Sequence, residues 1–244
     1  MAKKPIRLGV SGALGKMGQR ILALAAEDPD FKTVLALERI SHPEIGETVC
    51  GIEVVSDLER VRDVDGLIEF TTPEATMQHL SFAVKFKKAM CIGTTALTDV
   101  QKKSVSDASG KIPIVFSPNM SIGVNVLFQL VGEASARLPA EYKAAISEAH
   151  HIHKKDTPSG TAKYLADIIR CERRQEDIDI KSVRQGEIIG DHEVIFEGPL
   201  DIIKLSHSAK SRDIFARGAL QAMKFCVRRK SGLYTMADVL KEIK

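Results

Sequence analysis

The fold is decided by residues 6–18, IRLGVSGALGKMG, where a short apolar run leads directly into a glycine-rich turn. Gly12, Gly15 and Gly18 have GxxGxxG spacing rather than GxGxxG, and a helical pattern starts among them. A strand, a glycine turn and a helix in succession are typical of a dinucleotide-binding unit. The glycines let the backbone approach a pyrophosphate, whose charge is stabilised by free N–H groups at the helix N-terminus. A glycine turn that binds no ligand is the alternative interpretation.

Downstream of this turn, strand and helix patterns alternate as far as residue 116. The predicted strands are residues 6–10, 34–37, 66–70, 90–92 and 114–116, and the predicted helices are residues 16–27, 73–86 and 98–109. This alternation indicates βαβ units and a parallel sheet with helices on both faces. The predicted fold class is therefore α/β, with an N-terminal Rossmann domain.

The pattern changes after residue 119. A long amphipathic helix is predicted over residues 123–137, with Val124, Leu127, Leu130 and Val131 at core spacing. A strand at 144–149 and a helix at about 159–170 follow, and then residues 178–205 are rich in β-branched residues with glycine turns. These features predict a second α+β domain with an antiparallel or mixed sheet. We expect a dinucleotide-binding domain from residues 1–121 plus 213–244, and a substrate-binding and oligomerisation domain from residues 122–212.

Composition excludes several classes of protein. Of 244 residues, 44% are hydrophobic, and the formal charge of +3 comes from scattered basic residues, which is not typical of a nucleic-acid-binding protein. No apolar stretch approaches the roughly 20 residues of a membrane span. The N-terminal apolar run is too short for a signal peptide, so we expect a cytoplasmic protein. Four cysteines lack zinc spacing and are interpreted as small hydrophobes in a reducing compartment.

An acidic and a basic residue follow the second predicted strand. Glu38 lies where a carboxylate accepts hydrogen bonds from the adenosine ribose hydroxyls, which favours NADH. Arg39 can instead pair with a 2′-phosphate, which favours NADPH. Together they predict an enzyme that accepts NADH or NADPH, and a solvated charge pair at the strand end is the alternative.

Two further strands end in small hydroxyl residues. Phe70, Thr71 and Thr72 follow one strand, and Gly93, Thr94 and Thr95 follow the next. Both segments are expected at the carboxyl edge of the sheet, where ligands bind in open α/β folds. Taken singly, each is more typical of a helix N-cap than of a contact to the nicotinamide half of the cofactor. Because two of them follow successive strands, the two interpretations have about equal weight.

The segment richest in reactive side chains is residues 148–162, EAHHIHKKDTPSGTA. A metal site is disfavoured here, because no nearby carboxylate or cysteine completes a ligand set and the lysines repel a cation. Ser159, Gly160 and Thr161 start a helix after a proline, which predicts a carboxylate-binding N-terminus. His150, His151 and Lys154 would then supply titratable groups beside the bound anion. A capped helix after a solvated basic loop is the alternative.

This stretch resembles the signature of dihydrodipicolinate reductases, E-[AL]-H-H-x-x-K-x-D-x-P-S-G-T-A. The resemblance extends over the whole chain through GALGKMG, LER, EFTTPEAT, CIGTT, SPNMSIGVNVL, LSHSAKSR and GLYTMADVL, in the family's order. It implies NAD(P)H-dependent reduction of 4-hydroxy-tetrahydrodipicolinate to tetrahydrodipicolinate in lysine and diaminopimelate biosynthesis. It also implies a small dicarboxylate substrate, neither nucleic acid nor membrane as a partner, and a homotetramer built through the substrate-domain sheets.

The resemblance assigns roles to individual residues. His150 would donate or accept a proton, Lys154 would donate one, and His151, Ser159, Gly160 and Thr161 would bind the substrate, with no metal. The dinucleotide would be bound by residues matching the family's cofactor motifs: Gly12, Ala13, Leu14, Gly15, Lys16, Met17, Glu38, Arg39, Phe70, Thr71, Gly93, Thr94, Thr95, Ser117, Pro118, Asn119 and Met120.

The chain departs from the family pattern in a few places. Lys155 often corresponds to an apolar residue and Thr157 to alanine, and neither is a proposed catalytic group. Thr72 lies where some members carry arginine, which affects contacts to an NADPH phosphate. A glycine- and arginine-containing loop that many relatives have after the position of Arg170 is absent, which bears on tetramer contacts and on the rim of the substrate pocket.

Two other functions fit part of the sequence. A different Rossmann-type dehydrogenase, acting on an amino acid or a sugar, would explain the first 118 residues but not HHIHK followed by PSGT. A non-catalytic dinucleotide sensor would need a partner-recognition element, and the sequence contains no helix-turn-helix, basic arm or exposed apolar helix of that kind.

Overall fold

The computed structural model describes residues 4–173 and 175–243. The chain forms two compact units, one made of the chain up to Ser121 and from Asp213 onward, the other of Ile122–Arg212. The strands are β1 (Ile6–Ser11), β2 (Phe31–Leu37), β3 (Thr48–Val49), β4 (Ile52–Val55), β5 (Gly66–Glu69), β6 (Ala89–Ile92), β7 (Pro113–Phe116), β8 (Lys143–His150), β9 (Asp179–Arg184), β10 (Asp191–Glu197), β11 (Ile202–Ser208) and β12 (Gly232–Tyr234). The α-helices are α1 (Lys16–Glu27), α2 (Pro73–Phe86), α3 (Asp99–Ser109), α4 (Ile122–Arg137), α5 (Gly160–Arg173), α6 (Asp213–Cys226) and α7 (Met236–Leu240).

The first unit is built on an eight-stranded sheet in the order β12-β7-β6-β5-β1-β2-β4-β3. Its strands pair in parallel except β3 with β4. The predicted α/β class with a Rossmann domain is thereby confirmed. The strand order reverses between β1 and β5, and ligands of open α/β sheets bind at such a switch point, outside the carboxyl ends of the strands.

Local sequence explains where the helices of this unit begin. The Thr72 hydroxyl accepts a hydrogen bond from the Ala75 N–H, and Pro73 occupies the first turn of α2, where its missing N–H costs nothing. Thr98 and Gln101 form a reciprocal capping box at the start of α3. Polar side chains at these caps satisfy orphan N–H groups, which fixes the point where each strand-to-helix loop ends.

The second unit contains a four-stranded mixed sheet in the order β11-β10-β8-β9. β8 pairs in parallel with β9 and antiparallel with β10, which confirms the mixed sheet expected from the sequence. Ile146, Val194 and Phe196 are buried in the core that this sheet forms with α4 and α5. Residues on the opposite sheet face, such as Ile202 and Lys204, are exposed in the chain.

One predicted core position of α4 is wrong. Val124, Leu127 and Val131 are buried, but Leu130 is 50% exposed and Phe128 is buried instead. Positions i, i+3, i+4 and i+7 share one face of a helix, and residue 130 lies off that stripe.

The side chains of Arg173 and Gln175 tie the short connection after α5 to the neighbouring backbone. Arg174 lies outside the described residues. The Arg173 guanidinium donates hydrogen bonds to the carbonyl oxygens of Ser135, Leu138, Pro139 and Tyr142. The Gln175 side chain bonds both the N–H and the carbonyl oxygen of Ala144. This segment therefore holds the C-terminal end of α4 and the start of β8 without a long loop.

The cysteine interpretation holds for two of the four residues. Cys91 and Cys226 are buried, whereas Cys50 and Cys171 are exposed and do not serve as core hydrophobes. Cys50 lies in a tight turn with a φ of 48°, between β3 and β4, which keeps its side chain out of the core. Within the described part of the chain, no helix combines the length and apolar character needed to cross a membrane.

Candidate active site

The residues predicted to bind the dinucleotide all lie at one edge of the first unit. They follow the carboxyl ends of β1, β2, β5, β6 and β7, which are parallel neighbours in the sheet. Because parallel strands end at the same edge, segments far apart in the sequence meet there. The fold thus supplies one continuous set of loops for an elongated ligand.

The glycine turn after β1 presents amides at its helical end. The Gly12 and Ala13 N–H groups bond the Leu37 carbonyl oxygen, and the Gly15 N–H bonds that of Gly12. Gly15, the N-cap of α1, provides no side-chain cap, so no side chain of the cap residue occupies the first helical amides, beginning with Lys16. This end of the turn therefore fits a pyrophosphate, which needs N–H donors at a helix N-terminus.

Close packing makes glycine necessary in this turn. Gly12 has a φ of +72°, and a side chain there would overlap the Phe70 carbonyl oxygen. A Cβ on Gly18 would overlap the Gly12 carbonyl oxygen. The turn is consequently pressed against its own helix and the loop after β5, which fixes its backbone before any ligand binds.

The Glu38 carboxylate is held by backbone groups. One oxygen accepts from the Leu14 N–H at 3.3 Å and the other from the Arg39 N–H at 3.0 Å. The carboxylate therefore lies beside the glycine turn, and the Arg39 side chain is exposed. This arrangement fits the expected ribose contact, while Arg39 stays available to a phosphate.

A buried polar network that the sequence reasoning missed supports the loops after β5 and β6. Glu69 is fully buried. Its carboxylate accepts a hydrogen bond from the Thr71 hydroxyl and forms another with His79 Nδ1 at 2.7 Å. Thr76 donates to Thr94 at 2.9 Å, and the Thr71 N–H donates to Thr94 Oγ1 at 3.2 Å. The two loops are therefore fixed to each other by hydrogen bonds between their threonines.

The remaining predicted contacts differ in accessibility. Thr95 and Pro118 are exposed at the edge, whereas Met120 is buried. Ser117 Oγ donates to the Asn119 carbonyl oxygen at 2.8 Å, which tightens the loop after β7. The Met120 side chain accordingly contributes to packing, and its backbone is the part of the residue that shapes the loop.

In the second unit, the end of β8 carries a buried histidine–carboxylate pair. His150 is 7% exposed and Glu148 1% exposed, and His150 Nδ1 bonds Glu148 Oε2. Burial lowers the pKa of His150, and the Glu148 charge opposes that shift. Burial would raise the pKa of Glu148, but the Arg184 guanidinium and His150 outweigh it and hold that pKa below its usual value. The pair can therefore hold an imidazole in one orientation with its other nitrogen, Nε2, able to transfer a proton.

Two cations lie beside this pair. The Arg184 guanidinium contacts Glu148 Oε1 at 2.9 Å and donates to the Asp156 carbonyl oxygen at 2.6 Å. Lys154 Nζ forms an ion pair with the Asp156 carboxylate at 2.9 Å, which lowers the pKa of that carboxyl against the effect of its burial. Arg184 thus joins β9, β8 and the loop before α5, and within that loop Asp156 holds the Lys154 side chain.

The N-terminus of α5 follows the same loop. The Ser159 N–H donates to Glu148 Oε1 at 3.4 Å, and Ser159 Oγ accepts from the Ala162 N–H at 3.2 Å. Apart from its own helix backbone and chain neighbours, no atom of the described residues lies within 4 Å of the place where a Cβ of Gly160 would be, while Thr161 is buried. The first turn is therefore accessible at Gly160, as a carboxylate-binding helix N-terminus requires.

The three histidines of the loop do not share one environment, although the rings of His151 and His153 lie 6.0 Å apart. His150 is buried, His151 is partly buried, and His153 is exposed, 3.9 Å from Glu187. The second buried histidine at the site is His192, from β10, whose ring packs edge-on against His150 at 5.1 Å. The contiguous motif contains His150 but not the histidine that packs against it, since His192 comes from another strand.

Contrary to the prediction, a nearby carboxylate completes a possible set of metal ligands at this site. Glu148, His150 and His192 bring three ligand atoms within 4.8 Å of one another, so a nearby carboxylate does complete a set. The Arg184 guanidinium nevertheless forms an ion pair with one oxygen of the Glu148 carboxylate, and His150 forms a hydrogen bond with the other. A divalent cation would have to displace both contacts, so these residues suit proton transfer better than metal binding.

Sheet register explains why Glu148, Arg184 and His192 were missed. Glu148 lies opposite His192 on β10, and His150 opposite Arg184 on β9, more than 30 residues away in the chain. One signal was available, because His192 alternates with Val194 and Phe196 on the buried face of a strand. A histidine at such an inward position requires a polar partner in the core.

Two family models together match nearly the whole chain. Residues 6–120 match the model described as dihydrodipicolinate reductase, N-terminus, and residues 123–240 match the model for its C-terminus. Among curated proteins, the 4-hydroxy-tetrahydrodipicolinate reductase of Caldanaerobacter subterraneus subsp. tengcongensis is 40% identical, covering 97% of this chain and 99% of that protein. The protein of the same name from Nitrosomonas europaea is 37% identical, covering 97% and 98%.

Solved structures share the fold. A dipicolinate-bound dihydrodipicolinate reductase from Paenisporosarcina sp. TG-14 superposes with a TM-score of 0.78 at 24% identity, covering 95% of this chain and 98% of that one. A myo-inositol dehydrogenase from Corynebacterium glutamicum gives a TM-score of 0.64 at 15% identity, covering 98% and 93%. The architecture therefore serves several dehydrogenases, and the sequence matches distinguish among them.

Proposed function

Because this chain belongs to the dihydrodipicolinate reductase family, we propose that it reduces 4-hydroxy-tetrahydrodipicolinate to tetrahydrodipicolinate with NADH or NADPH, in diaminopimelate and lysine biosynthesis. The observation that carries the proposal is the buried His150–Glu148 pair, which bonds the N-terminus of α5 through the Ser159 N–H and lies near the Lys154 charge. It combines a proton-transfer group with an anion-binding helix end, as reduction of a ring dicarboxylate requires.

The first unit is the proposed dinucleotide-binding domain. The amides at the start of α1 would hold the pyrophosphate, and Glu38 and Arg39 the adenosine ribose and its 2′-substituent. The loops that contain Phe70, Thr71, Gly93–Thr95 and Ser117–Met120 would hold the nicotinamide half. When bound, the reduced nicotinamide supplies the hydride. The backbone-held Glu38 carboxylate and the exposed Arg39 support use of either cofactor.

The second unit is the proposed substrate-binding domain. Ser159, Gly160 and Thr161 would bind one substrate carboxylate at the positive end of α5, with His151 as a further contact. Lys154 and Arg184 add positive charge near that helix end. Hydrogen-bond donors and the cations Lys154 and Arg184 lie near this helix end, where the carboxylates of Glu148 and Asp156 are already paired. This excess of positive charge favours a dicarboxylate over a neutral sugar or a zwitterionic amino acid.

His150 and Lys154 are the proposed catalytic residues. Glu148 orients the His150 ring through Nδ1, so that Nε2 holds or releases the proton that the substrate exchanges. The Lys154 ammonium stabilises negative charge that develops on the substrate and can donate a proton to it. Asp156 holds Lys154 until an anionic substrate competes for the ammonium group.

Assembly and location are also part of the proposal. The sheet face of β8–β11 that α4 and α5 leave uncovered supports a homotetramer built through these sheets, with Ile202 54% exposed there. Four free thiols, of which Cys50 and Cys171 are exposed, suit a reducing compartment, and we place the enzyme in the cytoplasm.

A coupled assay tests the function. Dihydrodipicolinate synthase generates the substrate in place, and oxidation of NADH or NADPH is followed by absorbance. We expect oxidation that requires the synthase product and falls by at least about a hundredfold in His150→Ala and in Lys154→Ala, with dinucleotide affinity unchanged. His153→Ala, an exposed histidine of the same loop, is the matched control and should resemble the wild type. Folded protein that binds dinucleotide but oxidises neither cofactor would overturn the proposal.

A further inference from the structure

We propose that His192 is a positioning residue that holds the N-terminus of α5 in its carboxylate-binding form through the Ser159 hydroxyl. The inference rests on the proposed function, since it concerns the same substrate site. His192 comes from β10 and is 4% exposed, and its Nε2 lies 3.2 Å from Ser159 Oγ.

The hydrogen bonds around Ser159 give its hydroxyl a defined role. Ser159 is the N-cap of α5, and its Oγ accepts from the Ala162 N–H. The hydroxyl proton is then free to be donated to His192 Nε2. With both bonds made, the cap is fixed, and the first turn of α5 keeps its accessible side at Gly160 turned to the substrate site.

His192 is suited to accept that proton because it stays uncharged. Burial, followed by the neighbouring His150, lowers the pKa of His192 to about 3. A neutral imidazole has one donor and one acceptor nitrogen, so Nε2 accepts if Nδ1 carries the hydrogen. The groups that face this ring are His150, Glu148, His207 and Lys154, of which Glu148 alone is negative.

The contacts form a closed circuit of four residues. Glu148 bonds His150 through one carboxylate oxygen and the Ser159 N–H through the other. Ser159 bonds His192, whose ring packs edge-on against that of His150. The group proposed for proton transfer and the helix end proposed for carboxylate binding therefore share one support, and His192 is its member on the substrate-binding side.

The test separates binding from proton transfer. Dissociation constants for dipicolinate, a planar dicarboxylate, are measured by calorimetry, and kcat, KM and the pH profile by the coupled assay. The variants are His192→Leu, which removes the acceptor; His192→Gln, whose amide oxygen can replace Nε2; Ser159→Ala; and the double variant His192→Leu/Ser159→Ala. His207→Leu removes a neighbouring histidine that pairs with His192 across β10 and β11 but does not bond Ser159, and it serves as the matched control.

We expect His192→Leu to raise KM and the dipicolinate Kd about fivefold, the effect of losing one helix cap, with kcat within about twofold and the pH profile unmoved. His192→Gln and His207→Leu should resemble the wild type. The double variant should bind no more weakly than Ser159→Ala, because both changes remove the same hydrogen bond.

Three outcomes overturn the inference. They are an unchanged dipicolinate Kd in His192→Leu, additive losses in the double variant, and a shifted pH profile, which would assign His192 to proton transfer. If His192→Leu fails to fold, Ser159→Ala and His192→Gln still decide between the roles. Failure of the proposed function is seen separately, as a wild-type protein that shows no synthase-dependent oxidation, and the dipicolinate measurements do not depend on turnover.

Discussion

Replacing His192 should make the protein less sensitive to acid. Its ring is buried, and burial together with His150 lowers its pKa from an ordinary value of 6.5 to about 3. Between pH 6.5 and pH 3, this residue is protonated in the unfolded chain but uncharged in the folded chain. The contribution of His192 to stability is therefore complete above pH 6.5 and is lost as the pH falls from there towards 3.

The size of the effect follows from the two pKa values. Each pH unit within that window costs about 1.4 kcal/mol, so lowering the pH from 7 to 5 should remove about 2 kcal/mol through His192 alone. A His192→Gln variant has no titrating group at this position and should not lose this share. Other groups, including His150, titrate in both proteins and cancel in the comparison.

Urea unfolding followed by far-ultraviolet circular dichroism, at pH 7 and at pH 5, measures the difference. The wild type and the His153→Gln variant, which lacks an exposed histidine instead, should each lose about 2 kcal/mol more than His192→Gln between the two pH values. Equal losses in all three proteins would refute the reasoning, since His192 would then titrate in the folded state as it does in the unfolded chain.

Three other substitutions have defined outcomes. Glu148→Gln removes the charge that orients His150 and should lower kcat about a hundredfold at unchanged NADH affinity, whereas a loss confined to KM would contradict that role. Gly18→Ala places a methyl group on the Gly12 carbonyl oxygen and should weaken NADH binding about tenfold in a fluorescence titration; wild-type affinity would show that the turn can relax. Arg173→Met removes charged donors from four carbonyl groups and should lower the free energy of unfolding by about 2 kcal/mol in urea, and an unchanged midpoint would show that water replaces them.

Elements with strong local signals could be predicted from the sequence. The bounds of α1 and α2 agree with the prediction to the residue, because glycine, threonine and proline mark their starts and the apolar periodicity is regular. The short β3–β4 hairpin was not predicted, because each strand is only two to four residues long and lacks an alternating pattern. Strand β12 was likewise not predicted as a strand, because three residues carry too little pattern.

The candidate site could be predicted along the chain but not across it. His150, Lys154 and Ser159 lie in one contiguous motif, so composition and spacing were enough to propose them. Glu148 was in the same stretch, yet its role depends on Arg184 and His192, which reach it through strand pairing. Register is a tertiary property, and a single sequence does not specify which strand a polar residue faces.

The division of the first unit along the chain has a consequence for its synthesis. Strand β12 pairs with β7 at the sheet edge, and α6 packs so closely on the loop after β7 that a Cβ on Gly218 would overlap the Met120 carbonyl oxygen. Both elements lie near the C-terminus, so a growing chain on the ribosome has made β7 nearly a hundred residues before it makes the helix that covers this loop. The inserted second unit is contiguous and complete by Arg212. We therefore expect the second unit to complete its fold first during translation, with the earlier-made part of the first unit left partly uncovered until α6 and β12 are made.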